Sequence, residues 1–289
     1  MSTPPRVDLP AGVVVERWPV RERHVAVMRN SVIGTREWVV LVPGFTGSKE
    51  DFVSVLPLLA DEGIGAVAYD HRGQYQSDAS ADPADYSLAA LAADLALIVD
   101  SATEALGRSA APHLVGHSFG GLVAQRALVD GAVRPASFVA LCTGPGALPR
   151  DRWSGLPDLV SALGNQGLEE IWSRMQEVDA ENSTPRPEPD VEAFLHRRWL
   201  ANDPRQLREL AQALMTTPPM TDRMRAVVGA GLPMTVMWGE RDYAWPVDVQ
   251  RDWAQVLGVP ALQIPGSGHS PNADDPASLV RHLIEAWRA

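Results

Sequence analysis

One cysteine, Cys142, stands in 289 residues. No disulfide can close within the chain, and a reducing compartment such as the cytoplasm is the expected location. Long apolar runs are missing too. The nearest, Leu88 to Val99, is broken by Asp94 and ends at Asp100, so no membrane span is expected. The opening stretch MSTPPRVDLPAG lacks the apolar core of a secretion signal. Positive charge is in deficit: 25 Lys and Arg against 36 Asp and Glu give a formal net charge of -11. Nucleic acid and anionic membrane both require clustered cations, so neither is an expected partner, which leaves a small-molecule substrate. Neither a metal-ligand spacing nor a phosphate-cradling P-loop occurs, and no cofactor and no metal are expected. Internal repeats and low-complexity tracts are absent, and nothing in the pattern sets an oligomeric state.

What is present is an alternation. Short strands are expected at Val13–Arg17 and His24–Arg29, as an antiparallel pair at a sheet edge. Glu37–Val42, Gly65–Tyr69, His113–Val115 and Ser137–Leu141 are nearly continuous apolar runs, as in strands buried on both faces. Helical spacing separates them, at Phe52, Val55, Leu56 and Leu59, at Ser87–Leu106, and at Leu122–Val129. Strand–helix alternation of this kind implies a mostly parallel, doubly wound α/β sheet. After Ala147 the strands stop. Helical patterns at Leu168–Val178, Val191–Leu200 and Pro204–Met215 run to about Ala230, rich in Trp and Met that either line a cleft or pack the segment itself. The alternation then resumes with Pro233–Trp238, Asp248–Leu257, Ala261–Ile264 and Pro276–Trp287. The expected organisation is an α/β core formed by residues 1–146 and 231–289, with a helical cap, 147–230, inserted between two strands.

Gly116-His117-Ser118-Phe119-Gly120, with Gly121 behind it, lies between a strand and a helix. Glycines on both sides permit a sharp turn that holds Ser118 at its tip, and the helix N-terminus behind offers unpaired N–H groups to a developing oxyanion. A serine nucleophile needs a base, and the base needs an orienting acid. Of seven histidines, His269 is placed best, in the loop Gly266-Ser267-Gly268-His269 at the C-terminal end of a late strand. His71 is its one rival. His117 adjoins the serine and is expected to point away from its hydroxyl. Asp242, after the strand ending at Trp238, is the leading acid, with Glu240 as second candidate. Cys142 ends a strand and reads as a buried, inert thiol.

This constellation resembles the α/β-hydrolase superfamily, from about Trp38 to the end of the chain. The order Ser118, Asp242, His269 is the one the family uses. The resemblance implies an oxyanion hole from the N–H groups of Phe45, in the loop Pro43-Gly44-Phe45, and of Phe119. It also implies substrate contacts from Phe45 and, beside the acid, from Tyr243 and Trp245. Two departures stand out. Pro43 replaces a common His. In Asp70-His71-Arg72-Gly73-Gln74-Tyr75-Gln76-Ser77, Tyr75 replaces a common Gly, so a different loop backbone is expected, with a solvent-exposed Tyr75 preferred over one that reaches toward the site. The implied activity is that of a serine hydrolase acting on a small, largely apolar carboxylic ester through an acyl-enzyme. C–C bond hydrolysis, lactone or amide cleavage, and acyl transfer or perhydrolysis on the same triad are the alternatives. A non-catalytic ligand receptor is a further one.

Overall fold

A computed structural model describes residues 2–32, 34–107, 110–153, 155–182 and 186–288. Eight strands form one sheet: β1 Val13–Val20, β2 Arg23–Asn30, β3 Trp38–Val42, β4 Gly65–Tyr69, β5 His113–His117, β6 Ser137–Leu141, β7 Met234–Gly239 and β8 Ala261–Ile264. Their order across the sheet is β1-β2-β4-β3-β5-β6-β7-β8. β1 and β2 pair antiparallel, β2 joins β4 antiparallel, and every later pairing is parallel. The sheet is therefore mostly parallel, as the apolar runs imply. Every residue of β3, β4, β6 and β7 is buried, which only a sheet covered on both faces allows. Winding starts at β3, goes outward to β4, then returns past β3 to β5. The crevice beyond the C-terminal ends of β3 and β5 is the switch point at which open α/β sheets bind ligands.

The core helices are α1 Val55–Asp61, α2 Leu88–Ala105 and α3 Phe119–Val129. Between β6 and β7 the described residues form α4 Leu156–Asn165, α5 Leu168–Glu181, α6 Pro189–Leu200, α7 Pro204–Thr216 and α8 Thr221–Gly229. The last three are α9 Val247–Leu257, α10 Pro271–Asp274 and α11 Pro276–Arg288. α2 starts where Ser87 caps it, its side chain accepting the Ala90 N–H at 3.3 Å. The α4–α8 segment divides its apolar residues. Leu163, Ile171, Trp172, Val191, Phe194, Leu195, Trp199 and Leu207 form a small core of their own. Leu210, Leu214, Met220 and Met224 join the main core instead. Most of the Trp and Met of this segment are thus packing residues. No helix among the described residues is long and apolar enough to cross a membrane.

Between β3 and α1 a 3-10 turn, Lys49–Phe52, carries three charged side chains into the interior. Lys49 is the only lysine in the chain and is completely buried. Its Nζ donates to Asp70 at 2.9 Å and Gln76 at 2.7 Å and pairs with Glu50 at 2.8 Å. Three acceptors around one ammonium are what a buried lysine requires to stay charged. These contacts tie the loop after β3 to the loop after β4. Tyr75, in the second loop, has φ 42°, the left-handed conformation that the expected glycine would supply, so the backbone turn survives the substitution. Its half-buried ring meets Phe194 of α6 edge-on rather than facing solvent.

Candidate active site

Ser118 sits between β5 and α3 with φ 55° and ψ -123°, outside the regions a side-chain-bearing residue ordinarily occupies. Its N–H donates to Leu141 O at 2.9 Å, which fixes the turn to β6. The flanking glycines are sterically required. A Cβ on Gly116 would lie 2.7 Å from Gly120 O, and one on Gly120 would lie 2.5 Å from Pro43 O. The turn is strained and over-determined by the packing around it, a combination found at functional sites.

His269 follows β8, and its Nε2 lies 2.9 Å from Ser118 Oγ. Its Nδ1 lies 2.7 Å from Asp242 Oδ1. With Asp242 ionised, Nδ1 must carry the proton, and Nε2 is left to accept from the serine hydroxyl. Asp242 follows β7 and also accepts Ala244 N–H at 2.9 Å and Gln250 Nε2–H at 2.8 Å. Burial pushes its carboxyl up, but the hydrogen bond and charge of His269 outweigh that and leave it below the usual carboxylate range. The second acid candidate, Glu240, instead accepts Gly266 N–H at the surface.

Phe45 and Phe119 flank the serine. Gly44 lies against it, so that a Cβ there would come within 3.2 Å of Ser118 Cβ. Phe119 N–H is the first of α3, where no carbonyl within the helix is available to it. The three candidate substrate contacts, Phe45, Tyr243 and Trp245, all line one cavity of about 530 Å³ that also contains Ser118 and His269. Tyr243 is 62% exposed at its mouth, whereas Trp245 is 1% exposed at its wall. Leu148, Leu156, Leu159, Met175 and Leu214 from the chain between β6 and β7 add apolar side chains to a lining that also includes Asp51, Asp151 and Arg152.

Two more histidines lie near the site, and one of them differs from expectation. His117 does not turn away from the site: its ring borders the same cavity and lies 5.2 Å from that of His269. The reason is the hydrogen bond between its Nε2 and His269 O at 2.7 Å, which holds the ring beneath the catalytic-base candidate. Burial, then the neighbouring His269, pushes its pKa down to about 3. His71, the rival base, is buried behind the Pro43 loop, with Nε2 on Pro43 O at 3.0 Å and a pKa pushed down by burial to about 4. It does not reach Ser118.

A buried ion pair, of which Asp51 lines the cavity, had no motif to announce it. Asp51 and Arg198 are completely buried and joined at 2.7 Å. Arg198 Nη2 also donates to Ser2 O at 2.6 Å, so the N-terminal stretch reaches the cavity. A signal for Arg198 existed. Val191, Phe194, Leu195, Arg198 and Trp199 follow one buried helical stripe, and a charge on such a stripe needs a partner.

His117, Cys142 and His269 place ligand atoms within 4.8 Å of one another. Both His269 nitrogens are engaged, however, and burial holds the Cys142 thiol well above its ordinary pKa, hence protonated.

A family model described as "Alpha/beta hydrolase family" matches residues 39–282. A protein of Variovorax paradoxus (strain S110) that bears the name putative carbamate hydrolase RutD is 38% identical over 105 residues, 36% of each chain. That match spans about a third of the curated relative's length. Among solved structures, the enol-lactonase from Burkholderia xenovorans LB400 superposes with a TM-score of 0.76 at 16% identity, over 95% of this chain and 100% of that one. A thermophilic esterase from Thermogutta terrifontis gives 0.71 at 22% identity, over 96% and 98%. Likeness at such identities speaks for the fold. The family match takes in the strand before the Phe45 loop, the Ser118 turn, Asp242 and His269, and the chain belongs to the alpha/beta hydrolase family.

Proposed function

We propose that the protein is a serine hydrolase that cleaves a small, largely apolar carboxylic ester through an acyl-enzyme. The observation that carries this reading is the hydrogen-bonded series Ser118 Oγ, His269, Asp242, at 2.9 and 2.7 Å, opening into a cavity with many apolar side chains in its lining. His269 Nε2 takes the hydroxyl proton as Ser118 Oγ attacks the carbonyl carbon. The N–H groups of Phe45 and Phe119 receive the oxyanion, and Asp242 stabilises the imidazolium. His269 then gives the proton to the leaving alkoxide. Water, deprotonated by the same imidazole, releases the acid. Helices α4–α8 act as a cap, and Phe45, Tyr243 and Trp245 bound the acyl group.

The same groups serve lactones, C–C cleavage and acyl transfer, and the resemblance to a carbamate hydrolase brings carbamates into the range to be screened. Labelling with a fluorophosphonate, mapped by peptide mass spectrometry, tests the reading. The expected adduct is on Ser118 and disappears in His269→Ala. No adduct on a folded protein would overturn it in favour of a ligand receptor.

A further inference from the structure

Among the side chains that tie the loop after β4 to the oxyanion side of the site, Gln74 reaches two carbonyls of the Phe45 loop. Gly73, φ 71°, and Tyr75, φ 42°, bracket Gln74, and two left-handed residues on either side of it turn the loop sharply there. Gln74 is completely buried. Its Oε1 accepts His71 N–H at 2.9 Å, which settles the orientation of the amide. Its Nε2 is therefore the donor, and it reaches Gly44 O at 2.9 Å and Phe45 O at 3.3 Å. The preceding carbonyl, Pro43 O, takes the hydrogen bond from His71 Nε2. Three consecutive carbonyls of the Pro43-Gly44-Phe45 loop are thus held from behind.

A trans peptide is planar, with C=O and N–H pointing in opposite directions. Gly44 C=O and Phe45 N–H belong to one such plane. Anchoring the carbonyl on Gln74 commits the N–H to the other side of the loop, and Gly44 has Ser118 against it. We propose that Gln74 is a positioning residue for the oxyanion hole: its amide sets the peptide plane that aims Phe45 N–H at the oxyanion. The inference rests on the serine-hydrolase reading. It gives the loop after β4 a part in the reaction although Gln74 does not line the cavity.

The test compares the wild type with Gln74→Met, which keeps length without a donor, and Gln74→Glu, whose carboxylate faces two carbonyl oxygens. Two readouts are needed: steady-state kinetics on short p-nitrophenyl esters, and inhibition by a matching trifluoromethyl ketone, whose serine adduct carries the oxyanion. Outright loss of an oxyanion donor costs about 10²- to 10³-fold in kcat. Misaiming one is expected to cost about 10- to 100-fold in Gln74→Met, more in Gln74→Glu, with KM within about twofold. Ketone affinity should fall by the same factor as kcat/KM, while the affinity of the corresponding secondary alcohol, which makes no adduct, stays unchanged. A merely structural Gln74 would lower the melting temperature without that selective loss. An active wild type with kcat and ketone affinity intact in Gln74→Met overturns the inference alone. A wild type that neither turns over esters nor binds the ketone overturns the serine-hydrolase reading and this inference with it. Should Gln74→Glu fail to fold, Gln74→Met decides.

Discussion

Replacing Asp242 by Asn removes one charge and almost no volume, and the hydrogen bonds around it say which way the amide will lie. Oδ1 receives two donors, His269 Nδ1–H and Ala244 N–H, and the backbone donor cannot turn round. Oδ2 receives one, Gln250 Nε2–H. That glutamine has a buried Oε1 without a hydrogen-bond partner, so it can flip to face the new NH2, at the cost of its 2.9 Å bond to Trp245 O. The amide in Asp242→Asn is therefore expected to keep its carbonyl toward His269, and the imidazole to keep its proton on Nδ1. What is lost is the charge beside the imidazolium. At about 4 Å between charge centres and an effective dielectric of about 20, that attraction is about 4 kcal/mol. At about 1.4 kcal/mol per tenfold, kcat should fall about 10³-fold. An inverted tautomer in a serine protease triad costs about 10⁴-fold. Steady-state ester turnover gives the factor, and 15N shifts of the His269 ring give the tautomer. A loss under tenfold would refute the coupling of Asp242 to the reaction. A loss of about 10⁴-fold or more, with the proton found on Nε2, would refute the hydrogen-bond reasoning.

Ser118→Ala should lower ester turnover by about 10⁴- to 10⁶-fold with an unchanged circular dichroism spectrum; residual turnover near wild type would exclude the nucleophile. Gly120→Ala presses a Cβ onto the backbone oxygens of Val42 and Pro43, so urea unfolding should show a loss at or above the about 1–3 kcal/mol of ordinary overpacking. A neutral result would mean that the turn can open. Arg198→Met leaves Asp51 buried without its cation and should cost about 3–5 kcal/mol, largely recovered in Arg198→Met with Asp51→Asn; equal losses in both variants would deny the pairing. Burial holds His71, His113 and His117 near 4, 4 and 3, whereas the unfolded chain takes these protons near the ordinary value of 6.5. Their contribution to stability is complete above about pH 6.5 and falls as the pH drops toward 4, by about 1.4 kcal/mol per pH unit for each. Asp70, raised by burial to about 6, acts in the opposite sense and offsets one of the three. In His113→Gln, urea titrations at pH 7, 6 and 5 should show a loss of stability over that range smaller by about 2 kcal/mol than in the wild type; an unchanged loss would refute the assignment.

The central strands and the turn at Ser118 were legible because both are local. Four or five consecutive apolar residues read as a strand buried on two faces, and Gly-x-Ser-x-Gly between strand and helix needs no distant information. The meeting of Ser118, Asp242 and His269 is long-range, but each residue lies at the C-terminal end of a parallel strand, and the sheet brings those ends together. What stayed hidden depends on partners far apart in sequence. His117 turns toward the site because a carbonyl 152 positions later accepts its N–H. The N-terminal stretch reaches the cavity because Arg198 takes the Ser2 carbonyl and Pro4 is buried. Tyr75 keeps a glycine-like backbone because Lys49, Phe194 and Asn202 surround it. None of these has a period or a motif.

The burial of Lys49 makes the protein unusual to an amine reagent. All other basic side chains apart from histidine are guanidinium groups, so no lysine ε-amine is available on the surface of the folded chain. Reductive methylation, which is selective for amines, reaches the Lys49 ε-amine only when the region joining the β3 and β4 loops opens. The rate of Lys49 modification then measures how often that region opens, a chemical counterpart of hydrogen exchange at one side chain. A single peptide reports it, with no engineered probe. Occupancy of the neighbouring cavity can be read as slower modification, which offers a ligand screen that needs no turnover.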